Sequence, residues 1–182
     1  MTLEALALQG RPKTYPTLAA SVTTRISELR KELIRESLSG SRQPSHRMEY
    51  VANIHGIEFI NDSGACTLNS TWYALENMSR PVIWITGGAD RGNDYFMVRE
   101  LVEQKVKVII LLGDDSQKIL ESFRDSEIPV IRVRTMAEAV ETGYYIGKTG
   151  DTVLLSPACP SFGMFENFEE RGIAFQKAVK SL

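Results

Sequence analysis

Three short segments are apolar at almost every position: Pro81–Thr86, Val106–Leu112 and Thr152–Leu155. A strand that faces water on one side alternates polar with apolar residues. A run without alternation has to be covered on both faces, as in a parallel sheet layered by helices. The segments between these runs carry helical spacing, over Asn69–Met78, Tyr95–Gln104, Ser116–Phe123, Met136–Ile146 and Phe165–Val179. Pro129–Val133 reads as another short strand, and Met48–Ile54 and Ile57–Ile60, split by His55-Gly56, as two strands joined by a turn. The pattern predicts an α/β domain with a mostly parallel, Rossmann-like sheet of about six strands and helices on both faces.

Residues 1–45 read differently. An apolar stretch from Leu3 to Leu8 precedes Gly10-Arg11-Pro12-Lys13-Thr14-Tyr15-Pro16, and helical spacing follows over Leu18–Leu38. Ser39-Gly40-Ser41-Arg42-Gln43-Pro44 has the composition of a linker. The chain therefore divides into a strand–helix stub, 1–45, and one complete domain, 46–182. At 182 residues it has room for one domain and an appendage.

Charge excludes some partners. With 21 Lys+Arg against 23 Asp+Glu the formal net charge is −2, which offers nucleic acid no basic surface for counterion release. No apolar run approaches the ~20 residues of a membrane span, and Met1–Ala5 lacks the basic and apolar regions of a secretory signal. Cys66 and Cys159 are the two cysteines and His46 and His55 the two histidines, so neither a disulfide framework nor a Cys/His metal site is expected. The expected compartment is the reducing cytoplasm.

In an open parallel sheet, ligands bind beyond the carboxyl ends of the strands. Four loops leave strands there: Asn61-Asp62-Ser63-Gly64, Thr86–Gly92, Gly113-Asp114-Asp115 and Ser156–Gly163. Helix starts at such loops present free N–H groups that suit carboxylates and phosphates, although Asp, Ser and Gly also serve as ordinary caps and turns. Neither the Gly-x-x-x-x-Gly-Lys-Ser/Thr phosphate loop nor Gly-x-Gly-x-x-Gly occurs in the chain.

Four separated motifs carry a resemblance: His46-Arg47-x-Glu49; Asn61-Asp62-Ser63; Gly87-Gly88-x-Asp90-x-Gly92; and Ser156-Pro157-Ala158-Cys159-x-Ser161-Phe162, running on to Phe165-x-Asn167-Phe168-Glu169-x-Arg171-Gly172. In this order they resemble the C-terminal, glutamate-ligase domain of the Mur ligases, in the branch that adds D-glutamate to UDP-N-acetylmuramoyl-L-alanine during peptidoglycan precursor synthesis. The stub resembles the end of that family's central ATP-binding domain. The resemblance implies an ATP- and Mg2+-dependent amide-forming ligase that makes an acyl phosphate. Its N-terminal domain and the rest of its central domain would have to be supplied from outside these residues. Position by position it implies nucleotide contacts at Arg47 and Asp62, and D-glutamate contacts at Cys66, Arg91, Ser161, Phe162 and Phe168. It implies no protein metal ligands here.

The departures bear on chemistry. Gly64 stands where the family carries Lys, and losing one such electrostatic donor typically costs ~10²–10³ in rate. Cys66 replaces Thr, Arg91 replaces Lys, Gly163 replaces Asp, and Pro12 stands where a nucleotide-contacting His is usual. The resemblance thus leaves two readings open, a D-glutamate-adding ligase domain and a non-catalytic nucleotide- or amino-acid-binding module. Locally, Asp62 and Ser161 could instead be helix caps, Phe168 a core aromatic, and Cys66 and Cys159 small buried hydrophobes.

Overall fold

The computed structural model describes residues 45–89, 92–113 and 117–182. The stub, Arg91 and the Asp114-Asp115 pair lie outside the described residues, and with them the expectations placed there.

Strand β1 (Glu49–Ile54) and strand β2 (Ile57–Asn61) form an antiparallel hairpin. Helix α1 (Leu68–Glu76) leads to β3 (Val82–Thr86). A 3-10 turn (Tyr95–Val98) runs into α2 (Arg99–Lys105) and β4 (Val106–Leu112). Then come α3 (Gln117–Ser122), β5 (Val130–Val133), α4 (Met136–Ile146), β6 (Thr152–Leu155) and α5 (Phe168–Lys180). The sheet order is β1-β2-β6-β3-β4-β5, and every pairing except β1–β2 is parallel.

The apolar runs are buried for the reason their sequence gives. All five residues of β3 and all four of β6 are buried. Along β3, Val82 and Trp84 join one core cluster with Leu75, Val102 and Ile119, while Ile83 and Ile85 join another with Met136, Val140, Phe175 and Val179. Thus α1, α2 and α3 cover one face, and α4 and α5 the other.

Two helix starts differ from the sequence expectation. The segment after Asp94 begins as a 3-10 turn because the Asp94 side chain accepts the Phe96 N–H at 3.2 Å, while its carbonyl accepts the Met97 N–H. The last helix begins at Phe168 rather than Phe165, because Asn167 caps it by accepting the Glu170 N–H at 2.7 Å. The pattern Asn167-x-x-Glu170 is a readable start signal.

Strand β6 enters the sheet last, between β2 and β3. The chain leaves β2 and β3 toward the face of α1 and α2, but leaves β6 toward the face of α5. Neighbouring parallel strands whose connections diverge to opposite faces open a crevice at their carboxyl ends.

Candidate functional site

The crevice is built by the loops after β2, β3 and β6. Asp62 extends the β2–β6 ladder, its N–H donating to the Leu155 carbonyl at 2.8 Å. Its carboxylate is buried: Oδ1 accepts the Met48 N–H at 3.2 Å and Oδ2 accepts the Ser156 hydroxyl at 3.0 Å. Burial raises its pKa from the ordinary 3.8 to about 6, against the lowering effects of the Met48 N–H, the Ser156 hydroxyl and the Arg47 charge. Ser156 is fixed in turn, its carbonyl accepting the Trp84 indole N–H at 2.7 Å. Asp62 caps no helix, since Thr67 caps α1 by accepting the Ser70 N–H. A carboxylate has about four acceptor positions and two are taken here, so room remains for a ligand hydroxyl.

Behind this loop lies a second buried network. Asn61 Oδ1 accepts the Ser63 N–H, which orients the amide; its Nδ2 then faces Glu49 Oε2 at 3.0 Å and His46 Nδ1 at 2.8 Å. The His46 carbonyl accepts the Gly64 N–H at 2.8 Å, and this pins the loop after β2 to the segment before β1.

Arg47 is exposed, and its side chain lies on Gly64. A Cβ at Gly64 would stand 3.1 Å from Arg47 Cγ and 3.5 Å from Nε. The place where the family pattern carries a lysine is therefore flanked by the stem and guanidinium of Arg47, a cation of the same sign.

The loop after β6 packs on both neighbours. The Ala158 N–H donates to the Ala65 carbonyl at 3.0 Å, and the Gly87 N–H to the Pro157 carbonyl at 3.2 Å. Ala158 holds a φ of 59°, a conformation that costs a non-glycine residue about 1 kcal/mol or more. Gly88 has a φ of +131°, and a Cβ there would come within 2.7 Å of the Pro160 carbonyl oxygen. Glycine is what allows the β3 and β6 loops to touch.

Of the residues tied by resemblance to an amino acid, Ser161 is the most telling. It is 5% exposed, and among the described residues its hydroxyl has no hydrogen-bond partner, although its carbonyl accepts the Phe165 N–H. Native proteins leave few buried hydroxyls unpaired, and such an orphan suits a ligand. It does not cap α5, which Asn167 does. Phe168 is half-buried and belongs to neither core cluster. Phe162 is 55% exposed at the rim. Cys66 is half-buried beside Ser63, and Cys159 is fully buried. The structure thus places Asp62, Cys66 and Ser161 on two loops that pack against one another, and Phe168 at the start of α5, its carbonyl bonded to the Ser63 hydroxyl. Sequence reasoning gave no role to Arg171, although it stands inside the last motif; its side chain is buried among these loops. No group of three or more His, Cys, Asp or Glu residues able to hold a metal occurs among the described residues.

The fold is similar to that of several solved proteins. A murein peptide ligase from Psychrobacter arcticus superposes with a TM-score of 0.55 at 11% identity, covering 75% of this chain and 30% of that one. A bifunctional folylpolyglutamate synthase/dihydrofolate synthase from Yersinia pestis gives 0.53 at 13%, covering 78% and 32%. The chain belongs to the Mur ligase family: its residues 46–159 match the family's glutamate ligase domain. UDP-N-acetylmuramoylalanine–D-glutamate ligases from Christiangramia forsetii and Bacteroides fragilis are 43% and 44% identical over the whole of this chain. The chain spans about two fifths of their length, 41% in each case.

Proposed function

We propose that this chain is the amino-acid-binding, C-terminal part of an ADP-forming ligase that joins D-glutamate to UDP-N-acetylmuramoyl-L-alanine in peptidoglycan precursor synthesis, in the cytoplasm. The reading is supported by identity to relatives of that name along the full chain. The observation that carries it is the buried Ser161 hydroxyl on the loop after β6, which has no hydrogen-bond partner among the described residues. Residues 1–45 are read as the tail of the central ATP-binding domain and 46–182 as the amino-acid domain.

In this reading Ser161 donates to a carboxylate of D-glutamate and Phe168 and Phe162 flank its carbon chain. Cys66 and Arg91 complete the pocket, Arg91 suiting a carboxylate through its planar fork. Arg47 and Asp62 face the nucleotide, Asp62 by accepting a ribose hydroxyl. Catalysis then consists of holding the amine of D-glutamate against an activated carboxyl group while donors stabilise the developing oxyanion. Mg2+ has no cluster of three or more His, Cys, Asp or Glu ligands among the described residues. ATP activation needs the phosphate loop that these 182 residues lack, and the chain alone should release no ADP.

The test is thermal melting with D-glutamate, L-glutamate and ATP at millimolar concentration. D-Glutamate should raise the melting temperature more than the L-isomer, and Ser161→Ala should abolish the difference. Equal shifts for both isomers, or none, would refute a D-glutamate site. A shift with ATP alone would instead favour a non-catalytic nucleotide-binding module, the reading to which Gly64 lends weight.

A further inference from the structure

A buried guanidinium with no carboxylate beside it is costly to desolvate, and such a group persists where its hydrogen bonds are numerous and well directed. Arg171 is 1% exposed and takes part in no ion pair among the described residues. Its Nε donates to the Ser63 hydroxyl at 3.0 Å, and Nη2 to the Ser63 carbonyl at 2.8 Å and the Cys66 sulfur at 3.4 Å. Nη1 donates to the Cys159 carbonyl at 3.0 Å. Ser63 passes the contact on, its hydroxyl donating to the Phe168 carbonyl at 2.7 Å. Of the five N–H groups of an arginine fork, these four contacts leave one, on Nη1, without a partner among the described residues. A Cβ on Gly88 would lie 3.7 Å from that nitrogen. None of these acceptors is a carboxylate, so among the described residues no carboxylate pairs with the charge beneath the junction of the β2, β3 and β6 loops.

We infer that Arg171 is a positioning residue of the proposed amino-acid site: its fork locks the Ser63–Cys66 loop to the Cys159–Ser161 loop, and its unpaired charge draws a dicarboxylic amino acid into the crevice they form. The inference rests on the proposed function for its ligand, but the locking of the loops stands on geometry. Burial also pushes the guanidinium pKa below its ordinary value, against the raising effects of Cys66 and Cys159. Arg171 acts through Ser63, Cys66 and the Cys159 carbonyl. A lysine would keep the charge but lose the fork, and a methionine would keep the stem's bulk but lose both.

The experiment compares the 182-residue chain with Arg171→Lys and Arg171→Met by D-glutamate titration and by amide hydrogen exchange. Tenfold or greater weakening of D-glutamate binding in Arg171→Lys and more in Arg171→Met is expected, with ATP response within twofold of wild type. In both variants the Ala65, Gly87 and Ala158 amides should exchange faster, while amides of β3 and β4 keep their protection. If wild type and both variants bind D-glutamate equally, the inference is overturned and the proposed function stands. If wild type itself ignores D-glutamate, the proposed function fails, and exchange then decides the locking role. Loosening confined to the three loop amides supports it, and unchanged or uniformly raised exchange overturns it.

Discussion

Asp62 carries the clearest pH signature in the molecule. Its folded pKa of about 6 lies above the ordinary 3.8, so between those values the folded state binds the proton more tightly. Stability from this group is therefore fully present below about pH 4 and declines as pH rises through 6. Two pKa units correspond to roughly 3 kcal/mol at most. Asp62→Asn should unfold at higher urea than wild type at pH 8, with the gap closing at pH 4; a gap independent of pH would contradict the burial argument. Gly172 makes a second residue-scale prediction. A Cβ there would run into the His46 imidazole, so Gly172→Ala should lose about 1–3 kcal/mol in urea unfolding. His46→Ala in the same chain should return part of that loss. At Gly64 a Cβ would stand 3.0 Å from the His46 carbonyl oxygen and press on Arg47, so Gly64→Lys must displace the Arg47 side chain. That variant should alter nucleotide response more than D-glutamate response in paired titrations.

At the scale of elements, α1 is held at both ends. Thr67 caps its start, and Lys105, from the end of α2, reaches its last carbonyls. Lys105 Nζ donates to the Leu75, Glu76 and Met78 carbonyl oxygens, at 3.1 Å for Leu75 and 2.9 Å for Met78. One cation satisfying two carbonyls at a helix C-terminus and a third just beyond it is worth about 1–2 kcal/mol, so Lys105→Met should lower stability by that amount without changing ligand response. The elements themselves were legible wherever the apolar pattern was strong: β6 and α4 run over the residues expected, and β3 and β4 follow from unbroken apolar runs. Boundaries set by side-chain caps were less legible. Asn167 overrode the apolar spacing that placed the helix start at Phe165, and Asp94 tightened the turn before α2 into a 3-10 conformation. Of the site, the loops were readable because they end apolar strands. The role of Arg171 was not, because a charged residue on a helix reads as solvated surface until the fold buries it.

At the scale of the whole domain, the late return of β6 between β2 and β3 creates the crevice and brings α5 across to it. A single helix from the last third of the chain thereby holds a loop more than a hundred residues earlier, through Arg171 and Ser63. No helix among the described residues is long and apolar enough to cross a membrane. The central claim is that this crevice receives D-glutamate, and backbone amide NMR of the 182-residue chain during D-glutamate titration tests it most directly. Saturable shifts confined to Ser63–Cys66, Gly88, Ser161 and Phe168, weaker with L-glutamate, are the predicted result. Shifts scattered over the surface, or none at these amides, would contradict it.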